Sequence, residues 1–154
     1  MGLSIRLDDL SGPEITALLT EHRRHLAEIT EACSMHALDL SGLRRPEVTL
    51  WSVWNGNDLA GCGALKELDA THAEVKSMRT AQAHLRQGVA SAVLQHIIAE
   101  AKRRGYRRLS LETGSSEYFE PARRLYAKFG FAPCGPFTGY GDDPNSFFMT
   151  MELA

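Results

Sequence analysis

Cysteine, net charge and long apolar runs are what this chain lacks, and each absence narrows what it does. There are three cysteines, Cys33, Cys62 and Cys134, far apart and without a Cys-x-x-Cys pair. They read as small apolar packing residues in a reducing compartment. Lys plus Arg number 17 against 19 Asp plus Glu, a formal charge of -2, which gives no attraction to a phosphate backbone or an anionic membrane. Nucleic acid and membrane are therefore not expected as partners. The most apolar stretch, Val89 to Ala101, is interrupted by Gln95, His96 and Glu100 and is too short to span a bilayer. The opening MGLSIRLDDL has neither the basic flank nor the apolar core of a signal peptide, so the cytoplasm is the expected compartment. Neither GxGxxG nor GxxxxGK followed by Ser or Thr occurs, which excludes dinucleotide and P-loop nucleotide sites at the level of motif.

What is present suffices for one domain. The chain has 154 residues, 44% of them hydrophobic, enough to bury a core without staples. Ile5 and Leu7 alternate with polar neighbours in a short strand. Ile15, Leu18, Leu19, His22, Leu26 and Ile29 then recur at helical spacing, and a short second helix is expected in a loop between Ala32 and Pro46. TLWSVWN and LAGCGALKEL flank a short polar turn as a hairpin, and HAEVKSMRT extends it to three antiparallel strands. A helix follows from Gly88 to Gly105, its apolar stripe made by Val89, Val93, Leu94, Ile97, Ile98 and Ala101, with Gly105 as its left-handed stop. RRLSLET is a strand, EPARRLYAKFG a helix, and FAP and FFMTMEL the last strands. A strand, helix, strand passage from HAEVKSMRT to RRLSLET implies a parallel pair, so the α/β sheet is mixed and mostly antiparallel, flanked by helices.

The chemistry centres on SMRTAQAHLRQGVAS. A strand ends, a polar connection follows, and Gly88 and Ala90 open a helix whose unpaired N–H groups make an anion seat with room for a bulky ligand. LRQGVA resembles the diphosphate-binding signature of the GCN5-related N-acetyltransferase (GNAT) family, with Gly88 and Ala90 in place and Leu85 where that signature has Arg or Gln. ARRLYAKFGF resembles the family's second signature through Tyr126, Gly130 and Phe131, while the family's frequent asparagine is Phe119. The tail GPFTGYGDDPNSFFM resembles a branch of small bacterial acetyltransferases of unsettled substrate.

The resemblance implies one acetyltransferase-like domain over residues 1–154 and a parallel strand pair that splays at the cofactor site. It further implies acetyl-CoA as co-substrate, no metal, and an amine of a small molecule or peptide as acceptor, attacked directly in a ternary complex. Met78, Arg79 and Thr80 would pair with the pantetheine arm, and Arg86, Gln87, Gly88, Val89, Ala90 and Ser91 would meet the diphosphate. Transfer requires a base for the amine, whose pKa is near ~10 when free, a donor to the carbonyl oxygen and a proton for the departing sulfur. Glu74 precedes Gly88 at a spacing that resembles the family's glutamate base, Glu112 lies near the cofactor end of the next strand, and a water is the third choice. Strand alternation places Glu74, Lys76, Met78 and Thr80 on one face. The resemblance nominates Tyr126 for the sulfur and the Met78 N–H for the carbonyl.

For the acceptor, His36, Trp54 and Tyr140 are expected to line a cleft, with Asp142 and Asp143 favouring a cationic amine. His22 and His25 read as helical histidines without a metal, and the arginines from Arg103 to Arg108 as compensation of the helix dipole and solvated surface. A homodimer through exposed carboxyl-terminal edge strands is expected. The competing reading is a noncatalytic acyl-CoA-binding sensor or interaction domain, suggested by Leu85 and Phe119.

Overall fold

The computed structural model describes residues 2–29 and 40–153. Seven strands form one sheet: β1 (Ser4–Asp8), β2 (Val48–Asn55), β3 (Asp58–Glu67), β4 (His72–Thr80), β5 (Arg108–Gly114), β6 (Ala132–Cys134) and β7 (Ser146–Glu152). Their spatial order is β1-β2-β3-β4-β5-β7-β6, and every neighbouring pair is antiparallel except β4 and β5. The sheet's edges are therefore β1 and the three-residue β6. Among the described residues four α-helices accompany it: α1 (Pro13–Ile29), α2 (Leu40–Leu43), α3 (Val89–Arg103) and α4 (Glu120–Lys128). The rest of the loop between Ala32 and Pro46 in which a helix was expected, up to residue 39, lies outside the described residues.

Helix α3 ends where Arg104 and Gly105 follow, the latter at φ 88°. Its stripe is buried as the periodicity predicts, with Leu94, Ile97 and Ala101 fully enclosed against Trp51, Val75, Leu109 and Leu111. Strand β3 is buried from Ala60 to Leu65 because helices cover both its faces. Its glycines allow that closeness: a Cβ on Gly61 would lie 2.6 Å from Val89 Cγ1, and one on Gly63 would lie 2.9 Å from Ile97 Cδ1. On the other face a smaller cluster joins α1 and α2 to the sheet through Ile15, Leu18, Leu19, Leu43 and Cys62.

The alternation along β4 is broken at one point. Lys76 pairs with Ala64 and Arg79 with Cys62, so Ser77 and Met78 oppose the single residue Gly63. Ser77 sits at φ 55°, and its carbonyl accepts from Cys62 Sγ at 3.3 Å. This bulge corrects the expectation that Glu74, Lys76, Met78 and Thr80 share a face. Glu74 and Lys76 face the α1 side, whereas Met78 packs under α3, where its sulfur would meet a Cβ on Gly63. Thr80, the partner of Gly61, also falls on the α3 side, and Arg79 takes the α1 side.

Candidate active site

Strands β4 and β5 pair in parallel from His72↔Arg108 to Val75↔Leu111 and no further, although β4 continues to Thr80 and β5 to Gly114. Beyond the bulge the two strands part. Strand β5 stays tied to β7 on its other side as far as Gly114↔Ser146. The gap opens into a cavity of about 700 Å³ walled by Lys76 to Thr80, by Glu112 to Gly114, by Ala90 at the start of α3 and by Tyr126 on α4.

At the α3 end, Gly88 caps the helix at φ 80°, with no side chain hydrogen-bonded to the first turn and no atom within 4 Å of where its Cβ would point. The outward N–H groups there are thus approachable by an anion, and a left-handed residue with open space beside it is what glycine supplies at low cost. Arg86, at φ 63°, and Ala90 line the cavity beside it, while the Gln87 side chain turns to His84, its Oε1 3.2 Å from Nδ1. Val89 is buried, leaving only its backbone to the seat, and Ser91 is half-buried. Phe119 fills the space over Gly114 so closely that a Cβ there would lie 1.9 Å from its ring. The wall where the family's frequent asparagine would stand is accordingly apolar. These features fit a long thiol-bearing arm with a phosphorylated end.

Among the titratable groups on the cavity wall, Glu112 of β5 and Tyr126 of α4 stand on different elements. Burial pushes the Glu112 carboxyl up to about 7; Ser146 and Lys76 oppose that rise, and Glu74 and Asp143 add to it. Ser146 stands near this carboxyl, but its buried hydroxyl meets no partner at hydrogen-bond geometry. Tyr126, enclosed on α4 against Phe131, has its phenol pushed well above the usual value by burial and then by the charge of Glu112. It therefore holds its proton at any ordinary pH.

The remaining residues named from sequence are placed differently. Glu74 is buried away from the cavity wall, its Oε2 accepting from Tyr140 Oη at 2.5 Å and from Lys76 Nζ at 3.2 Å. Lys76 also donates to Tyr140 Oη at 2.8 Å, so the three form a closed polar cluster. Burial and the Glu74 charge push the Tyr140 phenol far up. Trp54 lies at the β1–β2 end of the sheet, its Nε1 donating to Ser52 Oγ at 2.9 Å and its ring under the Arg6 guanidinium at 4.9 Å. His36 lies outside the described residues.

A model of the acetyltransferase (GNAT) family matches residues 14–131. The chain belongs to that family. It is similar to the uncharacterized N-acetyltransferase YsnE of Bacillus subtilis (strain 168), 58% identical over 98% of this chain and 100% of that one. YedL of Escherichia coli (strain K12), also an uncharacterized N-acetyltransferase, is 49% identical over 97% of this chain and 94% of its own length. Among solved structures, a GNAT family acetyltransferase from Elizabethkingia anophelis with acetyl-CoA bound shares the fold at TM-score 0.70 and 21% identity, over 98% of both chains. The protein is thus an N-acetyltransferase by family, on a mixed sheet whose one parallel pair frames the cavity.

Sequence reasoning missed a cluster on the α1 wall of this acetyltransferase. Arg79 Nη1 donates to His25 Nδ1 at 3.1 Å, Tyr118 Oη approaches the same nitrogen at 3.2 Å, and Arg79 Nη2 stands 3.6 Å from Glu21. His22, one helical turn from His25, is pushed down to about 4 by burial and by the charges of Arg79, His25 and Arg23. The one sequence signal was the spacing of the two histidines; the Ser77 bulge that brings Arg79 to them has no such signature. Among the described residues no cluster of three or more His, Cys, Asp and Glu has metal-binding geometry, and no helix is long and apolar enough to cross a membrane.

Proposed function

We propose that this acetyltransferase uses acetyl-CoA and moves the acetyl group to an amine of a small molecule or peptide by direct attack in a ternary complex. The observation that carries the reading is the parting of β4 and β5 after Val75↔Leu111 into a cavity with Gly88's helix start at one end and Glu112 and Tyr126 on its walls. The family membership and the acetyl-CoA in the Elizabethkingia anophelis relative support the choice of donor. Acetyl-CoA, when bound, supplies an acyl carbon activated as a thioester. Backbone from Arg86 to Ser91 would hold its diphosphate, and the freed edge of Met78, Arg79 and Thr80 its pantetheine arm, with the Met78 N–H toward the carbonyl oxygen.

Glu112 is the base in this reading. A carboxyl held up to about 7 accepts a proton from an ammonium acceptor near neutral pH far better than an ordinary carboxylate does. Glu74 is already engaged by Tyr140 and Lys76 and serves to hold that wall. Tyr126, protonated and facing the cavity, donates a hydrogen bond to the departing sulfur as the new N–C bond replaces the C–S bond.

Calorimetric titration with acetyl-CoA, followed by release of free thiol across a panel of amines, tests the reading. Saturable binding and amine-dependent thiol release are expected; no binding would overturn it. Leu85 and Phe119 favour the second reading, a noncatalytic acyl-CoA sensor, and tight binding without turnover on any amine would select it.

A further inference from the structure

The Arg79 guanidinium lies on the α1 wall of the cavity with its charge poorly answered. Its side chain is 16% exposed, and its Nη1 is spent on an imidazole nitrogen, His25 Nδ1. Its Nε is buried without a hydrogen-bond partner, and Nη2 reaches Glu21 only at 3.6 Å, beyond the ~2.7–2.9 Å of a charge-assisted hydrogen bond. Glu21 is itself 47% exposed, so water screens what attraction remains. An enclosed donor left unmade costs free energy comparable to a lost hydrogen bond. The weakly held Nε–Nη2 edge is the fork that receives a carboxylate through two parallel hydrogen bonds. Beside it His22 Nδ1 is a second buried polar atom without a partner, on a ring that also lines the cavity.

We propose that the acceptor carries a carboxylate, received by the Arg79 side chain with His22 at the α1 end of the cavity, while its amine lies toward Glu112. The proposal rests on the reading of this cavity as the acetyl-transfer site and names the substrate class of that site: small amino acids. The charges along the cavity wall differ in sign from place to place: Arg79 on the α1 side, and Glu112 with Glu74 and Asp143 near it, where Lys76 is paired with Glu74. A zwitterion aligns along that difference, whereas a polyamine would set a second cation against Arg79 and an uncharged amine would leave the guanidinium unanswered. A single guanidinium with a carboxylate already at 3.6 Å suits a monoanion better than a phosphate dianion. The diphosphate seat is a different part of the same cavity, since Gly88 opens α3 and the Arg79 side chain reaches His25 and Glu21 of α1.

The test compares amino acids with their carboxamides, α-amino and ω-amino series alike, in thiol-release kinetics with the wild type and Arg79→Gln. The wild type is expected to favour the acid over the amide in kcat/KM, and the variant to lose that preference by tenfold or more through KM for the acid. Dividing one ratio by the other cancels the differing basicity of the amines. Arg79→Lys restores part of the preference if charge is what the site reads. Amine turnover with a ratio unchanged in Arg79→Gln overturns this inference and leaves the acetyl-transfer reading standing; absence of acetyl-CoA binding removes that reading instead. A measurement independent of turnover is the Arg79 Nε–H resonance in ¹⁵N-labelled protein titrated with N-acetyl amino acids. It is expected to shift with the acids and not with the amides, and an unmoved resonance overturns the proposal.

Discussion

The two faces of the sheet are built to different rules although the same strands supply both. Under α3 and α4 the layer is closed and apolar: Val93, Leu94, Ile97 and Ala101 meet Leu65, Leu109 and Leu111, each of them buried. Under α1 the apolar cluster is smaller, and beside it the sheet presents Glu74, Lys76, Arg79 and, from the next strand, Glu112. The Ser77 bulge separates the two regimes within β4. It sends Met78 and Thr80 to the closed face and Arg79 to the open one, and the β4–β5 ladder ends just before it. A closed face fixes the positions of the strands; an open face lets charged and titratable groups stand beside a cavity. The difference teaches that the site is made by interrupting a sheet rather than by adding a loop to it.

The largest expected effect breaks the comparison at the joint between the faces. Gly88→Glu places a carboxylate at the start of α3 and forces a side chain into φ 80°, so acetyl-CoA binding is expected to vanish in calorimetry. Circular dichroism should remain close to wild type, because nothing lies within 4 Å of the added Cβ, while stability to melting should fall by the roughly 1–2 kcal/mol that a side chain costs at this left-handed φ. Unaltered affinity would place the diphosphate elsewhere.

Next comes the open face itself. Glu112→Gln is expected to lower kcat/KM at pH 7 by about a hundredfold, the lower range for loss of a general base. In the wild type the rate should climb as pH rises through about 7, where Glu112 loses its proton, and the variant should lack that limb. A pH profile overlaying the parent would move the base to Glu74 or to water. Tyr126→Phe, on the wall contributed by the closed face, is expected to cost about tenfold in kcat with little change in acetyl-CoA affinity. Unchanged turnover would remove the phenol from the transfer step.

The closed face was legible in the sequence and the open one was not. Helix α3 announced its buried stripe through spacing, and its stop through Gly105, because periodicity and a left-handed glycine are local properties. The parallel pairing of β4 and β5 followed from the order of elements. LRQGVA and ARRLYAKFGF marked the region that lines the cavity for the same reason: each is a short string with its own geometry. Glu74 and Glu112, by contrast, are equivalent carboxylates on strands until tertiary contacts separate them. What engages Glu74 is Tyr140, 66 residues away, and what raises Glu112 is enclosure by several elements at once. Arg79 reaches His25 across 54 residues and only because of a bulge at a serine that no turn chemistry advertises.

The smallest effect is one that cancels in the wild type. His22 is held down to about 4 from 6.5, so the folded chain binds fewer protons there than the unfolded one. Its contribution to stability is whole above pH 6.5 and is lost as pH falls toward 4. Glu112 is held up to about 7 from 4.5, the opposite sign: the folded chain binds more protons, and stability is recovered as pH falls from 7 toward 4.5. Between pH 7 and pH 5 each amounts to roughly 1–2 kcal/mol, and the two nearly offset. Chemical denaturation at both pH values is thus expected to show little change for the wild type from this pair. His22→Gln should gain stability on acidification relative to wild type, and Glu112→Gln should lose it, with carboxylates elsewhere contributing equally to all three. Parallel slopes in the three proteins would mean that the open face is wetter, and its charges cheaper to hold, than the enclosure of these two side chains implies.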